Sequence, residues 1–245
     1  SGVAAVLEVA RRTSALITRP PHGLRFAFWA AEELGIVGSA AHVASLAPPA
    51  RRKVLVYLNL DMIASPNWGR FVHEGDGTAG ANGRAEGAVE VESAFVRYFE
   101  ALGVPTLSVD LDSRTDHSPF DAAGIASGGL HTGTSLHKTA AQAALFGGSV
   151  GQPYDPCYHS ACDTIDNVDW PILEEMADAA RTEAFLVRIG IADVVPKAIA
   201  YQLLAPALTL AEPIKLVCRE DRLEQLAADL SIHRLDMVLA DRPLP

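Results

Sequence analysis

Cysteine is scarce in this chain of 245 residues, aromatic side chains make up 7% of it, and basic residues are outnumbered 20 to 30 by acidic ones. The resulting formal charge of -10 excludes a nucleic-acid partner, because phosphate binding needs clustered Lys and Arg that the sequence does not show. No apolar run approaches the roughly 20 residues of a membrane helix, and no charged, apolar, small leader pattern opens the chain, so no membrane partner is expected. Ser1 is not an initiator methionine, as expected of a chain that starts inside a longer parent. What is present is a hydrophobic share of 49%, enough for one large core or a core plus a smaller unit. Oligomeric state is not legible.

Of the 3 cysteines, Cys157 and Cys162 share a polar loop and Cys218 lies in an apolar run. The first two are compatible with a bridge, which would imply an oxidising compartment, or with two reduced thiols. Cys218 reads as a small buried hydrophobe.

Val3, Val6, Leu7, Val9, Ala10 and Leu16 recur at helical spacing and predict a helix over residues 2–17. Residues 24–30 read as a buried strand, 34–46 as a helix closed by Pro48 and Pro49, and 51–60 as a second strand. Strand, helix, strand predicts the α/β class, a three-layer α/β/α core around a largely parallel sheet. Residues 74–87 read as a loop and 90–102 as a helix. A further helix is expected over 172–184. Beyond it, strands over 186–192, 213–218 and 235–240 alternate with helices over 197–208 and 221–230, a βαβαβ, Rossmann-like unit.

Two patterns are set aside on context. Gly75 to Gly80 matches GxGxxG, but that fingerprint needs a helix opening at its last glycines, and Asn82, Gly83 and Gly87 prolong the loop. Gly147 to Gly151 matches the GxSxG elbow around Ser149, yet an Ala-rich helix precedes it where a strand is required. Asp116, His117 and Ser118 are adjacent and cannot converge as a triad.

Two predicted strands end in acid, one in Glu32 and Glu33 and the other in Asp61. Ligands of open α/β sheets bind at the carboxyl ends of strands, and three carboxylates on one rim repel unless a proton or cation lies between them. Adjacent Glu32 and Glu33 point apart, so one can coordinate metal while the other takes a proton from an activated water. His159 lies in a loop with too few apolar neighbours to bury an imidazole for packing, and is the best neutral nitrogen ligand. Cys157 and Cys162 beside it would allow thiolate coordination, but the strand-end carboxylates favour a His and carboxylate hydrolytic site. His22, His42, His73, His117, His131, His137 and His233 lack paired ligand spacing and read as surface or satisfied core residues.

Residues 26–35 (FAFWAAEELG), 58–62 (LNLDM), 114–120 (RTDHSPF) and 157–163 (CYHSACD) occur in that order, and together they resemble the secreted bacterial co-catalytic zinc aminopeptidases over residues 1–183. The resemblance implies Glu32 as general base, Glu33 and His159 on one zinc, and Asp61 on the other. It implies Tyr158 as a donor to the tetrahedral intermediate. The substrate amine would lie near Glu32, Asp61 and the backbone of Arg114, with Met62 as a pocket wall. His131 stands where the resemblance has an aromatic. The family's further His ligand and bridging carboxylate would precede Ser1, so the metal site is expected to be incomplete, holding one zinc or none.

Residues 187–197 (VRIGIADVVPK) and 233–244 (HRLDMVLADRPL) resemble the first part of a LysR-type effector-binding domain, in the sodium/proton antiporter activator subgroup. The two resemblances imply secretion for the first part and the cytoplasm for the second. The expected protein is therefore a fusion or chimera, with a catalytic region over 1–183 and a regulator fragment over 186–245. Its expected activity is release of N-terminal residues from a peptide substrate by zinc-activated water, impaired by missing ligands. The alternatives are a catalytically inactive scaffold and a LysR-type regulator fragment.

Overall fold

Strand β1 (Val56–Leu60) packs Leu58 and Leu60 against one apolar cluster and Tyr57 against another, the period-two alternation of a strand covered on both faces. The structure, a computed structural model, describes residues 1–16, 23–77, 85, 87–110, 114–184, 186–205, 215–231, 235 and 237–242. Two compact units result, Ser1–Arg181 and Thr182–Pro245.

In the first unit, β1 pairs in parallel with β4 (Ala126–His131), β4 pairs antiparallel with β2 (Phe71–His73), and β2 pairs in parallel with β3 (Leu107–Val109). The order is β1-β4-β2-β3. One cluster joins Val72 and Leu130 of the sheet to Ala5 of α1 (Gly2–Leu16), Phe95 and Phe99 of α4 (Ala88–Ala101), and Ile172 and Met176 of α7 (Trp170–Ala184). The other joins Tyr57 to Val43 of α2 (Val37–Ser45) and Phe120 of α5 (Ser118–Ala122). Phe95 and Phe99 are fully buried, each contributing about 1.5–3 kcal/mol relative to exposure. Helix α1 begins directly on the end of β1, where a Cβ on Gly2 would lie 1.9 Å from the Leu60 carbonyl oxygen. Among the described residues, no helix is long and apolar enough to cross a membrane.

Several expectations need correction. The sheet is mixed, because β2 runs against β4. Residues 24–30 form no strand; β1 is paired to β4, and among the described residues nothing supplies 24–30 with a ladder partner. Leu24, Phe26 and Phe28 are correspondingly exposed. The helix expected from residue 34 starts at Val37, because the Glu32 carbonyl accepts the N–H groups of Gly35 and Ile36 and closes a turn first. Ala31 and Ile36 take left-handed backbone at the two ends of that turn. Pro48 begins a short helix of its own, α3 (Pro48–Arg51), since proline is tolerated at a first helical position.

The elbow around Ser149 follows α6 (Ala140–Phe146), and the Ser149 backbone N–H donates to Asn67 Oδ1. Helix α4 opens at Ala88, after the GxGxxG match rather than on its last glycines; residues 78–84 and 86 of that loop lie outside the described residues, as do His22 and His233.

The second unit contains β5 (Leu186–Ala192), α8 (Lys197–Leu204), β6 (Lys215–Asp221), α9 (Leu223–Ser231) and β7 (Met237–Leu239). Its strands pair in parallel in the order β6-β5-β7. Ala192, Leu223, Leu226 and Leu235 form its own apolar cluster. Asp229 is buried at 2% exposure and accepts from Arg219 Nη1 at 2.9 Å. Cys218 is exposed, which corrects its reading as a buried hydrophobe: strand periodicity alone does not say which face meets solvent.

Candidate active site

Glu33 and His159, separated by 126 positions, meet at one place: His159 Nε2 donates to Glu33 Oε1 at 2.7 Å. Their side chains are 69% and 54% exposed, and an exposed ion pair contributes little to stability. The pairing therefore has no strong structural motive. His159 takes left-handed backbone, uncommon for a residue other than glycine, and its ring stacks on Tyr158 with centroids 3.9 Å apart.

Asp61 follows the last residue of β1 and is exposed. The next residue, Met62, has positive φ, and its carbonyl accepts from the backbone N–H and hydroxyl of Thr132 at 2.8 and 2.5 Å. That double bond fixes the exit of β1. His131, at the end of neighbouring β4, holds Nδ1 3.3 Å from the Asp61 carbonyl oxygen.

Negative charge is concentrated here. Burial raises the Glu32 pKa from its ordinary value, and the charges of Glu33, Asp61 and Asp116 add to that effect. The Tyr158 phenol is raised by burial and then by Glu33, Asp61 and Glu32, with the Arg114 charge opposing. Burial lowers the His131 pKa, against its bond to the Asp61 backbone. Burial also raises Asp116, while its bond from the Ser39 hydroxyl opposes the rise. Asp116 and His117 diverge, the first toward Ser39 and the second with Nδ1 at Thr115 Oγ1. They form no relay.

Among the described residues, no three His, Cys, Asp or Glu side chains stand close enough together to hold a metal ion. Glu33 and His159 are brought together, and Asp61 acts on their neighbours through its charge without joining them. Carboxylate and imidazole donors fit zinc in kind, and the crowding of acids at one rim is what a cation would relieve. In number, the described residues bring two such donors together, Glu33 and His159.

Cys157 and Cys162 are joined in a disulfide with their Cα atoms 5.3 Å apart, enclosing Tyr158 and His159 in a short loop. Asp155 Oδ1 anchors that loop, accepting from the Cys157 N–H at 2.9 Å and from Asn167 Nδ2 at 2.8 Å. Closing so short a loop contributes only about 2 kcal/mol globally, so its main effect is local. Reduction is expected to shift the thermal midpoint by a few degrees and to raise amide exchange in the loop over 157–162. Thermal unfolding and exchange mapping before and after reduction, with peptide mapping of the bridge, check this; unchanged exchange would show that the bridge does not hold the imidazole in place.

Sequence reasoning missed the side chains beneath this rim. Trp29 Nε1 donates to the Tyr57 hydroxyl at 3.0 Å, Tyr57 donates to Asn59 Oδ1 at 3.0 Å, and Asn59 Nδ2 donates to Thr115 Oγ1 at 3.3 Å. The available signal was Tyr57 and Asn59 alternating with leucines on a strand buried on both faces.

Comparison with known proteins gives this geometry a context. The model of peptidase family M28 matches residues 1–184. Leupeptin-inactivating enzyme 1 of Streptomyces exfoliatus is 44% identical over 180 residues, covering 73% of this chain and 38% of that protein. An aminopeptidase of Pseudomonas aeruginosa is 43% identical over 179 residues, covering 73% and 33%. Among solved structures, a zinc aminopeptidase from Bacillus subtilis matches with a TM-score of 0.56 at 25% identity, covering 74% of this chain and 40% of that one. The mixed α/β fold, with helices flanking the sheet, is shared with such structures. The chain spans between 33% and 38% of the length of these two curated relatives.

Proposed function

The chain belongs to peptidase family M28, and we propose that its first unit carries the machinery of a zinc-dependent aminopeptidase, which hydrolyses the first peptide bond of a substrate with a free N-terminus. The observation that carries this reading is the meeting of Glu33 with His159 beside Glu32. Glu33 and His159 would hold zinc, with Asp61 available to a second ion. Bound zinc supplies Lewis acidity and makes water nucleophilic at neutral pH.

The remaining roles belong to the chain's own side chains. Glu32 takes the proton of the attacking water and returns it to the leaving amine. Tyr158 keeps its proton at neutral pH, because burial and neighbouring carboxylates raise its pKa, and donates it as a hydrogen bond to the oxyanion. The carboxylates of Glu32 and Asp61, with the backbone at Arg114, receive the substrate ammonium. Met62, fixed at the exit of β1, and His131 border the pocket for the first side chain. A histidine there makes that pocket more polar than an aromatic would.

Donor count sets the expected metal content. Two co-catalytic ions need about five ligands including a bridge, and Glu33, Asp61 and His159 are three. The 245-residue polypeptide is expected to bind no more than one zinc per chain, to cleave aminoacyl anilides slowly, and to lose that cleavage on chelation. Zinc stoichiometry measured alongside initial rates tests this. Two tightly held ions with fast turnover would mean that other residues supply ligands; chelator-resistant hydrolysis would remove the metal from the reading.

A non-catalytic scaffold is the second reading, favoured by the fact that, among the described residues, just two donors meet. Bound zinc without hydrolysis would select it. For residues 186–245 we propose a separate module with no part in hydrolysis, fused to the peptidase part and akin to the opening of a LysR-type effector domain. Support comes from its sequence resemblance and its own apolar cluster.

A further inference from the structure

We propose that Tyr57 is a positioning residue, the centre of a hydrogen-bonded chain that locks together the three segments carrying the rim of the active site. The proposal rests on the aminopeptidase reading for its catalytic consequence, and on side-chain geometry for the chain itself.

Each link leaves from a different segment. Trp29 lies three residues before Glu32, Asn59 two before Asp61, and Thr115 one after Arg114. Tyr57 and Asn59 are the only links within one strand, β1; the others bridge to segments 28 and 56 positions away. The donors run in one sense, from the Trp29 indole N–H through the Tyr57 hydroxyl to Asn59, and from the Asn59 amide to Thr115. Hydrogen bonds aligned in sequence polarise one another, and a chain of them is worth more than its isolated pairs. Asn59 is 4% exposed, so losing a partner there leaves a buried amide group without water to replace it.

The chain also supplies what the fold lacks at this point. Residues 24–30 have no ladder partner among the described residues, so β-sheet hydrogen bonds do not fix the approach to Glu32 and Glu33. The Trp29 side chain provides a fixed point beside the backbone bonds from Val37 and Gly38 to Ala31 and Ala30, held by Tyr57 and by packing near His42 and Phe120, whose ring centroids lie 5.1 and 6.0 Å away. The Tyr57 ring stacks on Phe120 with centroids 4.0 Å apart and planes within 5°. This stacking holds the ring in place without its hydroxyl. Burial raises the Tyr57 pKa well above its ordinary value, so the hydroxyl remains a donor throughout the working range.

Tyr57→Phe removes the oxygen and keeps the stacked ring, and is the test in the full chain. The expected result is at least threefold faster amide exchange in peptides covering 30–36 and 114–118, with α4 and α7 unchanged. The accompanying kinetic expectation is a five- to twentyfold fall in kcat on an aminoacyl anilide with KM within twofold. Thr115→Val is the second probe: it should also loosen 30–36, three hydrogen bonds distant. Exchange confined to the β1 peptide, or raised evenly through α7, would overturn the proposal. So would loosened segments with unchanged kcat in an active parent. A parent chain that hydrolyses nothing defeats the aminopeptidase reading, and the exchange data from the two variants then decide the chain of hydrogen bonds without it.

Discussion

Glu32→Gln is expected to lower hydrolysis of an aminoacyl anilide by at least about a hundredfold, the range in which a positioned general base contributes, while Ser149→Ala leaves the rate within about twofold. Glutamine keeps the size and hydrogen-bonding reach of the side chain but cannot take a proton. The surroundings oppose the charge on Glu32, through burial and through Glu33, Asp61 and Asp116, which favours its taking up a proton. Ser149 lies in the turn after α6 with its N–H committed to Asn67, a structural duty that alanine retains. Initial rates of both variants, at equal zinc occupancy, settle the matter. A silent Glu32→Gln with an inactive Ser149→Ala would replace the metallopeptidase reading with a serine hydrolase.

The elements most legible in the sequence are those with long, regular patterns. Helix α1 was expected over 2–17 and is Gly2–Leu16; β5 was expected over 186–192 and is Leu186–Ala192. Strands β2 and β3 went unread because each is three residues long, too short to display a period. Strand β4 hid behind Gly128 and Gly129, residues depleted from strands. The reading of 24–30 failed in the opposite direction: the apolar run is there, but a strand also needs a neighbour, which no local pattern encodes. In the candidate site, the types and order of Glu32, Glu33, Asp61 and His159 were legible as chemistry. The meeting of Glu33 with His159 was expected from the family resemblance, which puts both on one zinc, but not from residue pattern, because it depends on a turn at 31–36 and on a left-handed residue in the disulfide loop. The hydrogen-bonded chain through Tyr57 was invisible for the same reason, since its members come from segments that only the sheet brings together.

The two glycines that obscured β4 also set the spacing on which the rim depends, and this leads to the largest stability effect expected. Gly129 is in register with Asn59 across the parallel β1 and β4 pair, and a Cβ built on it would lie 1.9 Å from the Asn59 carbonyl oxygen and 3.0 Å from its nitrogen. These are backbone atoms, so no rotamer change relieves the overlap; the strands must separate or the register must slip. Overpacking against movable side chains already costs about 1–3 kcal/mol. Against fixed backbone, Gly129→Ala is expected to cost at least about 3 kcal/mol, a fall of roughly 6–12 °C in the midpoint of a unit this size. Gly23→Ala is the control, because a Cβ there meets nothing within 4 Å and the change should stay within about 0.5 kcal/mol. The strain in Gly129→Ala falls on Asn59, two residues before Asp61, so the same variant should loosen the hydrogen bond to Thr115 and raise amide exchange at 114–118. Thermal unfolding of both variants with exchange mapping of the first gives the answer. A Gly129→Ala protein as stable as the parent would mean that β1 and β4 are not paired in this register, and the placement of Asp61 at the strand exit would have to be withdrawn with it.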